Sequence, residues 1–396
     1  MGRREEDFMS TSGTCAARAA SVIVVIVAST ALPPPAAFGR EYSVTRLPVD
    51  DMPGVGAFDI NDAGVVVGIR EDNSQPGRRW SGFVWGPTTG MIDLGEGPGA
   101  LAINNQGTVV GRWDGLRTGN HAFLWTAAGG ARLLSALPGG WPFAEARSSD
   151  ARGVNDAGQI IGYFDGSAGL RAYVREPGGD VRWLPTPAAP EYGGLLVFDI
   201  NDRGDVVGAV RIEDVGYHAY LWPTSGGFVD LGDLPGGSVQ GIATSVNNRG
   251  QILGSAVGPA DPGVPGSIGQ RAVLFATDGT IRDLGTLPGM GGSSPADINE
   301  LGEVVGWSGI GSVEDWRAFL WTEQEGMRDL HDLLDASGRG WELQMPSAIN
   351  NVGQILVHGE FQGRDAIAIL TPVPEPTGTT AALLAAATFG LRRRRT

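Results

Sequence analysis

One phrase, an Asn-x-x-Gly turn between two apolar segments, occurs seven times in this chain. It reads INDAGVVVG at Ile60, INNQGTVVG at Ile103, VNDAGQIIG at Val154 and INDRGDVVG at Ile200. It returns as VNNRGQILG at Val246, INELGEVVG at Ile298 and INNVGQILV at Ile349. Successive copies are 43, 51, 46, 46, 52 and 51 residues apart. A unit of that size cannot bury its own apolar face, so copies must stack, and a period of roughly 40–50 residues is that of propeller blades.

Each unit divides into four short apolar segments. A first strand follows the turn, as at Val65-Val66-Val67 or Gln251-Ile252-Leu253; a second reads AFLW at Ala122, AYLW at Ala219 and AFLW at Ala318. A third reads MIDLG at Met91, FVDLG at Phe228 and IRDLG at Ile281, and a fourth leads into the next Asn, as FDIN at Phe58 and Phe198. Segments of this length between Gly, Pro and Asn are strands, and 63 Gly and 25 Pro beside 42% hydrophobic residues suit many short ones. The last unit stops after a first strand (354–357) and a second (366–370). The N-terminal part of the mature chain holds YSVTRLP at Tyr42 and GAFDIN at Gly56, which read as a third and a fourth strand lacking the other two. The expected fold is all-β: a seven-bladed β-propeller with four-stranded blades over residues 40–372, closed by N-terminal strands completing the last blade. Closure leaves no exposed sheet edge.

The units resemble the HAF-repeat family of bacterial extracellular proteins. HAFLW at His121, LGDLPGG at Leu231 and the Asn phrase carry the likeness, while Arg171, Arg271 and Arg317 stand where the family's His would be. The resemblance implies an extracellular setting and no particular activity.

Both ends read as addresses. Ser21 to Leu32 is a 12-residue apolar run after Arg18, too short to span a bilayer but suited to a signal peptide over residues 1–39. Ala37-Phe38-Gly39 supplies a small-x-small cleavage site, with the cut expected after Gly39 and Ala37 as the other candidate; Met9 offers a cleaner start. Residues 373–396 hold Val373, Pro374, Glu375 and Pro376, then an apolar run over 379–391, then Arg392, Arg393, Arg394 and Arg395. An apolar helix followed by clustered Arg halts in a membrane with its basic end in the cytoplasm. This segment resembles the PEP-CTERM sorting signal of exosortase substrates. The resemblance implies exosortase and the secretion machinery as partners, transient membrane anchoring through a transmembrane helix, and delivery to the cell surface or extracellular matrix.

The sequence offers little chemistry. A net charge of -15 without a basic stripe argues against nucleic acid as partner. Asp59 to Gly64 bunches oxygens, yet Ala63 breaks the alternation a calcium loop requires, so the turns read as backbone devices and no metal site is expected. Trp85, Trp125, Trp222 and Trp321 recur at one blade position, as inter-blade packing requires. His121, His218, His331 and His358 form no zinc set, the sole cysteine, Cys15, lies in the signal segment, and no Ser sits in a Gly-x-Ser-x-Gly elbow. No catalytic residue and no cofactor are expected. Strand alternation sends the variable loops (71–79, 136–151, 185–194, 255–270 and 310–316) to one face, with Trp141, Tyr192 and Trp316 as expected ligand contacts. The reading is a non-enzymatic binding or structural module, with extracellular polysaccharide or matrix as partner. The alternative is a secreted polysaccharide lyase or hydrolase. His, Arg, Tyr or acids converging on the central channel would favour the enzyme, and a small apolar lining the scaffold.

Overall fold

The computed structural model describes residues 40–374 except 50–53, 73–78, 117–118, 135–147, 167–168, 187–191, 213–215, 239, 268 and 311–314. The signal segment, Trp141, the tail from Glu375 onward and its expected membrane helix lie outside the described residues. Among the described residues no helix is long and apolar enough to cross a membrane.

Among the described residues, twenty-eight strands form seven four-stranded antiparallel sheets. Blade 1 runs outward through Gly56–Ile60, Val66–Asp72, Arg79–Gly86 and Gly90–Glu96. Blades 2 to 6 begin with inner strands Pro98–Ile103, Ser148–Val154, Tyr192–Ile200, Gly241–Val246 and Gly292–Ile298. Blade 7 runs through Trp341–Ile349, Ile355–Phe361 and Asp365–Pro372, and its outer strand is Tyr42–Arg46. The register sets Tyr42 opposite Pro372, Val44 opposite Leu370 and Arg46 opposite Ala368, so the chain's start completes its last sheet, as expected.

One detail differs from the sequence reading. GAFDIN does not join Tyr42–Arg46; it pairs with Val66–Asp72 as the inner strand of blade 1. The cause is the Asn turn. The Asn61 N–H donates to the Val65 carbonyl at 3.1 Å and the Gly64 N–H to the Asn61 carbonyl at 2.9 Å, a tight hairpin that keeps both flanking strands in one sheet. The step between blades falls instead after the MIDLG-type segment. Closure is therefore one strand added to three, and the sorting of loops between faces is unchanged.

The Asn turns also join the blades. Each Asn side-chain oxygen accepts backbone N–H groups of its own turn, as Asn61 does from Ala63 and Val65 at 3.1 and 3.0 Å. Its amide nitrogen donates to the carbonyl of the next blade's Asn. The chain of donors runs Asn61, Asn104, Asn155, Asn201, Asn247, Asn299, Asn350 and back to Asn61, at 2.8–3.2 Å. A second ring runs through the following residue: the Asp62 N–H donates to Asn105 Oδ1, and so on through Asp156, Asp202, Asn248, Glu300 and Asn351 to Asp62. The oxygens that resembled a calcium loop are occupied by backbone donors.

The Gly that ends most copies of the phrase is set by close approach. A Cβ on Gly68 would lie 2.1 Å from the Gly56 carbonyl oxygen, and one on Gly208 1.9 Å from that of Leu196. The inner strand shifts register there, between Ala57 and Asp59 in blade 1. Blade 7 has Val357 at the phrase's last position. Its inner strand carries two register shifts, and the clearance is provided two residues later, by Gly359.

The core lies between blades. Ile60 and Phe83 of blade 1 pack with Leu356 and Ile369 of blade 7, and Trp85 packs against the same cluster. Trp321 packs with Leu253 and Ala272 of blade 5. Burying each such side chain contributes about 1.5–3 kcal/mol. The recurrent Trp residues are packing, as their spacing implied.

Candidate functional site

In five blades the residue at which the His-Ala-Phe segment begins, near the start of the third strand, faces the outer strand. Ser81 donates to Asp93 at 2.6 Å. His218 Nδ1 lies 3.6 Å from Asp230, Arg271 Nε 3.6 Å from Asp283 and Arg317 Nη1 3.3 Å from Asp329. In blade 3 the facing residue is Trp183, and the Arg171 guanidinium sits over its ring at 4.3 Å. In blades 4 to 6, His and Arg alike stand at this place 3.3–3.6 Å from an outer-strand Asp. All these pairs lie at the end of the blade where the variable loops emerge.

On that face, between blades 5, 6 and 7, is a cavity of about 630 Å³. Met290, Ile310 and Leu343 give it apolar walls, and Asp315, Arg317, Asp329, His331, Asp332 and Glu342 give it polar ones. Trp316 lines it too, stacked on Trp307 with ring centroids 5.7 Å apart and planes at 19°. A Cβ on Gly309 would fall 2.1 Å from Trp316 Cδ1, so the missing side chain is what lets the indole lie there. Asp329 is fixed twice: it accepts from Arg317, and its other oxygen accepts the His331 N–H at 2.9 Å, capping a 3₁₀ turn at Leu330–Leu333. Among the described residues the site is thus a half-apolar recess with an indole and four carboxylates against one guanidinium. Among the described residues no three His, Cys, Asp or Glu side chains are grouped closely enough to hold a metal ion.

Of the three expected contacts, Trp316 lines this cavity. Trp141 lies outside the described residues, and Tyr192 is placed by its backbone, opposite Ile212 at the start of blade 4's inner strand. Sequence reasoning missed Asp329, His331 and Glu342. The available signal was the long connection between the sixth and seventh units, LHDLLDASGRGWE from Leu330.

The central channel is a second polar cluster. Two residues before each ring Asn stand Asp59, Ala102, Gly153, Asp199, Ser245, Asp297 and Ala348. Asp59, Asp199 and Asp297 are partly buried and open only to a narrow channel mouth of about 170 Å³. Each reaches into the next blade: Asp59 accepts the Ile103 N–H at 2.8 Å, Asp199 that of Val246 at 2.8 Å and Asp297 that of Ile349 at 2.9 Å. The Ser245 hydroxyl lies within hydrogen-bond reach of both Asp199 and Asp297. Burial pushes the Asp59 carboxyl up to about 6, against the backbone donors and with help from Asp199. Burial likewise pushes Asp297 up to about 7, with Asp199 and Asp59 adding to the rise, and raises Asp199. The channel thus holds acids, with no His, Arg or Tyr among its described lining residues, and each acid is engaged by backbone N–H groups of two blades.

No family model matches the chain, and no curated protein sequence does. Among solved structures it is similar to an acylaminoacyl peptidase from Pyrococcus horikoshii, at 11% identity and a TM-score of 0.55, over 82% of this chain and 52% of that one. It is also similar to a catalytically inactive virginiamycin B lyase from Staphylococcus aureus with quinupristin, at 13% identity and a TM-score of 0.48, over 84% of this chain and all of that one. The chain spans about half the length of the peptidase. At this identity the likeness to the peptidase shows the propeller fold alone.

Proposed function

We propose that the chain is an exported bacterial protein, sorted by exosortase to the cell surface or extracellular matrix, whose propeller is a non-enzymatic binding module. The observation that carries the binding role is the recess beside Trp316, on the variable-loop face where the sequence gathers its diversity. Apolar walls, a fixed indole and a few oriented polar groups suit a small organic ligand or one end of a polymer. The signal segment, the Pro-Glu-Pro box and the Arg cluster support export and sorting.

Immobilised glycans and matrix fractions test the binding role. The full chain is expected to retain a subset, and Trp316→Ala to weaken retention at least tenfold; retention unaltered by that change overturns the reading. For sorting, the full chain is expected to accumulate in the membrane fraction of a host lacking exosortase, and a chain ending at Pro374 to escape it. Identical fractionation of the two would count against the tail's role.

A second reading is a polysaccharide lyase or hydrolase, favoured by His331, Arg317 and four carboxylates meeting at one cavity. Chain shortening of a polysaccharide that disappears in Glu342→Gln would establish it in place of the first.

A further inference from the structure

The recess beside Trp316 is unequally charged, and its groups are spread in a way that narrows the ligand. Among its described lining residues, Asp315, Asp329, Asp332 and Glu342 stand against the single guanidinium of Arg317. Arg317 is itself paired with Asp329 at 3.3 Å, so the cation added to the lining is already answered. Asp332 and Glu342 are exposed at the rim, while Leu343 and Met290 lie deeper. The carboxylates do not converge as metal ligands would. A uronic acid entering here meets charge of its own sign, and a neutral sugar gains only the indole and hydroxyl contacts. A sugar bearing ammonium groups gains both, because the apolar face of a pyranose stacks on an aromatic ring and its ammonium groups lie at the periphery, where the rim acids are.

We propose that this recess binds a cationic amino sugar, such as a run of glucosamine in a partly de-N-acetylated polymer. This rests on the cavity being the ligand site put forward above. Trp316 is the platform, with Trp307 behind it and Gly309 giving it room. Glu342 and Asp332 accept hydrogen bonds from the ammonium groups, and Asp329 acts through Arg317, holding it away from the ligand.

The probes are glucosamine hexamer, its fully N-acetylated counterpart and a hexa-uronate, titrated into the full chain by calorimetry at neutral pH. The glucosamine hexamer is expected to bind at least tenfold more tightly than the acetylated one, with the uronate weakest. Glu342→Gln and Asp332→Asn are expected to erase that preference while leaving the acetylated hexamer's affinity in place; Trp316→Ala weakens both. Asp278→Asn, at an exposed turn of the opposite face, is the control for general attraction of a polycation to an acidic protein. Equal binding of the two hexamers, or equal loss with Asp278→Asn, overturns the amino-sugar assignment and leaves the glycan-binding reading standing. Binding of none of the three, with melting temperatures unchanged, overturns both.

Discussion

The side-chain amide of Asn350 donates to the backbone carbonyl of Asn61 at 2.9 Å, across 289 residues of sequence. That bond is the last of seven, and it ties blade 7 to blade 1 at the channel as Tyr42–Arg46 ties the chain's two ends at the rim. Asn350 also accepts the Gln354 N–H at 2.8 Å. Asn350→Ala strips partners from a buried carbonyl and from a turn N–H together, and is expected to cost about 1–3 kcal/mol. Asn350→Asp keeps the shape but sets a carboxylate oxygen against the Asn61 carbonyl, so it should be at least as damaging. Guanidinium unfolding of the three proteins checks both; an Asp variant as stable as the parent would remove the ring's role as a tie.

The phrase's final Gly makes a separate prediction. Because a Cβ on Gly208 would lie 1.9 Å from the Leu196 carbonyl oxygen, Gly208→Ala forces the inner strand of blade 4 away from its neighbour. The expected loss is about 3 kcal/mol. Gly178→Ala, where an added Cβ meets nothing within 4 Å, should be close to neutral. Thermal melts of the pair separate close approach from a general intolerance of Ala in place of Gly.

Blade number, strand number and the joining of the two ends were legible because the Asn phrase recurs in all seven units with little change, with Asp-Leu-Gly in three of them. Where to cut the unit was not: an Asn-x-x-Gly turn reads the same whether it joins strands of one sheet or of two, and only the hydrogen bond from Asn61 to Val65 decides it. The Asn residues were legible as turn formers, but their donation to the next blade depends on where that blade's carbonyl lies. The site was legible through Trp316, which sits in a variable loop. Asp329 and Glu342 were not, because Asp329-Leu330 looks like the Asp-Leu of blades 1, 4 and 5 and becomes a cavity wall only beside the long connection after blade 6. Asp59, Asp199 and Asp297 stand in three units among seven, and only the ring brings those units together.

Those channel acids give the fold a pH dependence of unusual sign. Asp59 and Asp297 hold their protons in the folded chain up to about 6 and about 7, against an ordinary 3.8. Between roughly pH 4 and 7 the folded protein therefore binds protons that the unfolded chain has released. Stability falls as pH rises through that window and levels off above it. The channel acids contribute about 1–3 kcal/mol in favour of pH 5 over pH 8, while His358, whose pKa burial lowers, works in the opposite sense below about 6.5. Asp93 and Asp205, held below the usual carboxylate range by hydrogen bonds and by Arg70 and Arg203, lose their contribution only in stronger acid. Asp297→Ala is the test, since Ala102 and Ala348 already occupy the same place in blades 2 and 7. Whatever its absolute stability, the variant should show a smaller difference between pH 5 and pH 8. An undiminished difference would assign the effect elsewhere.

Tyr42 offers a test of the closing strand. Its side chain is fully buried against Leu330, Leu333 and Leu370, with the Arg40 guanidinium 5.4 Å from its ring centroid. Its hydroxyl is buried without a hydrogen-bond partner, and burial raises its pKa. A buried hydroxyl left unpaired opposes folding, while the ring itself favours it. Tyr42→Phe keeps the ring, the packing and the Arg40 contact and removes only the hydroxyl, so it should leave stability unchanged or raise it by up to about 1 kcal/mol. Tyr42→Ala empties the space between blades 6 and 7 and should cost about 3–5 kcal/mol, within the range for a large aromatic. If the closing strand contributed little, Tyr42→Ala would unfold at the same denaturant concentration as the parent. A Phe variant that lost stability would mean that the hydroxyl has a partner, such as a bound water.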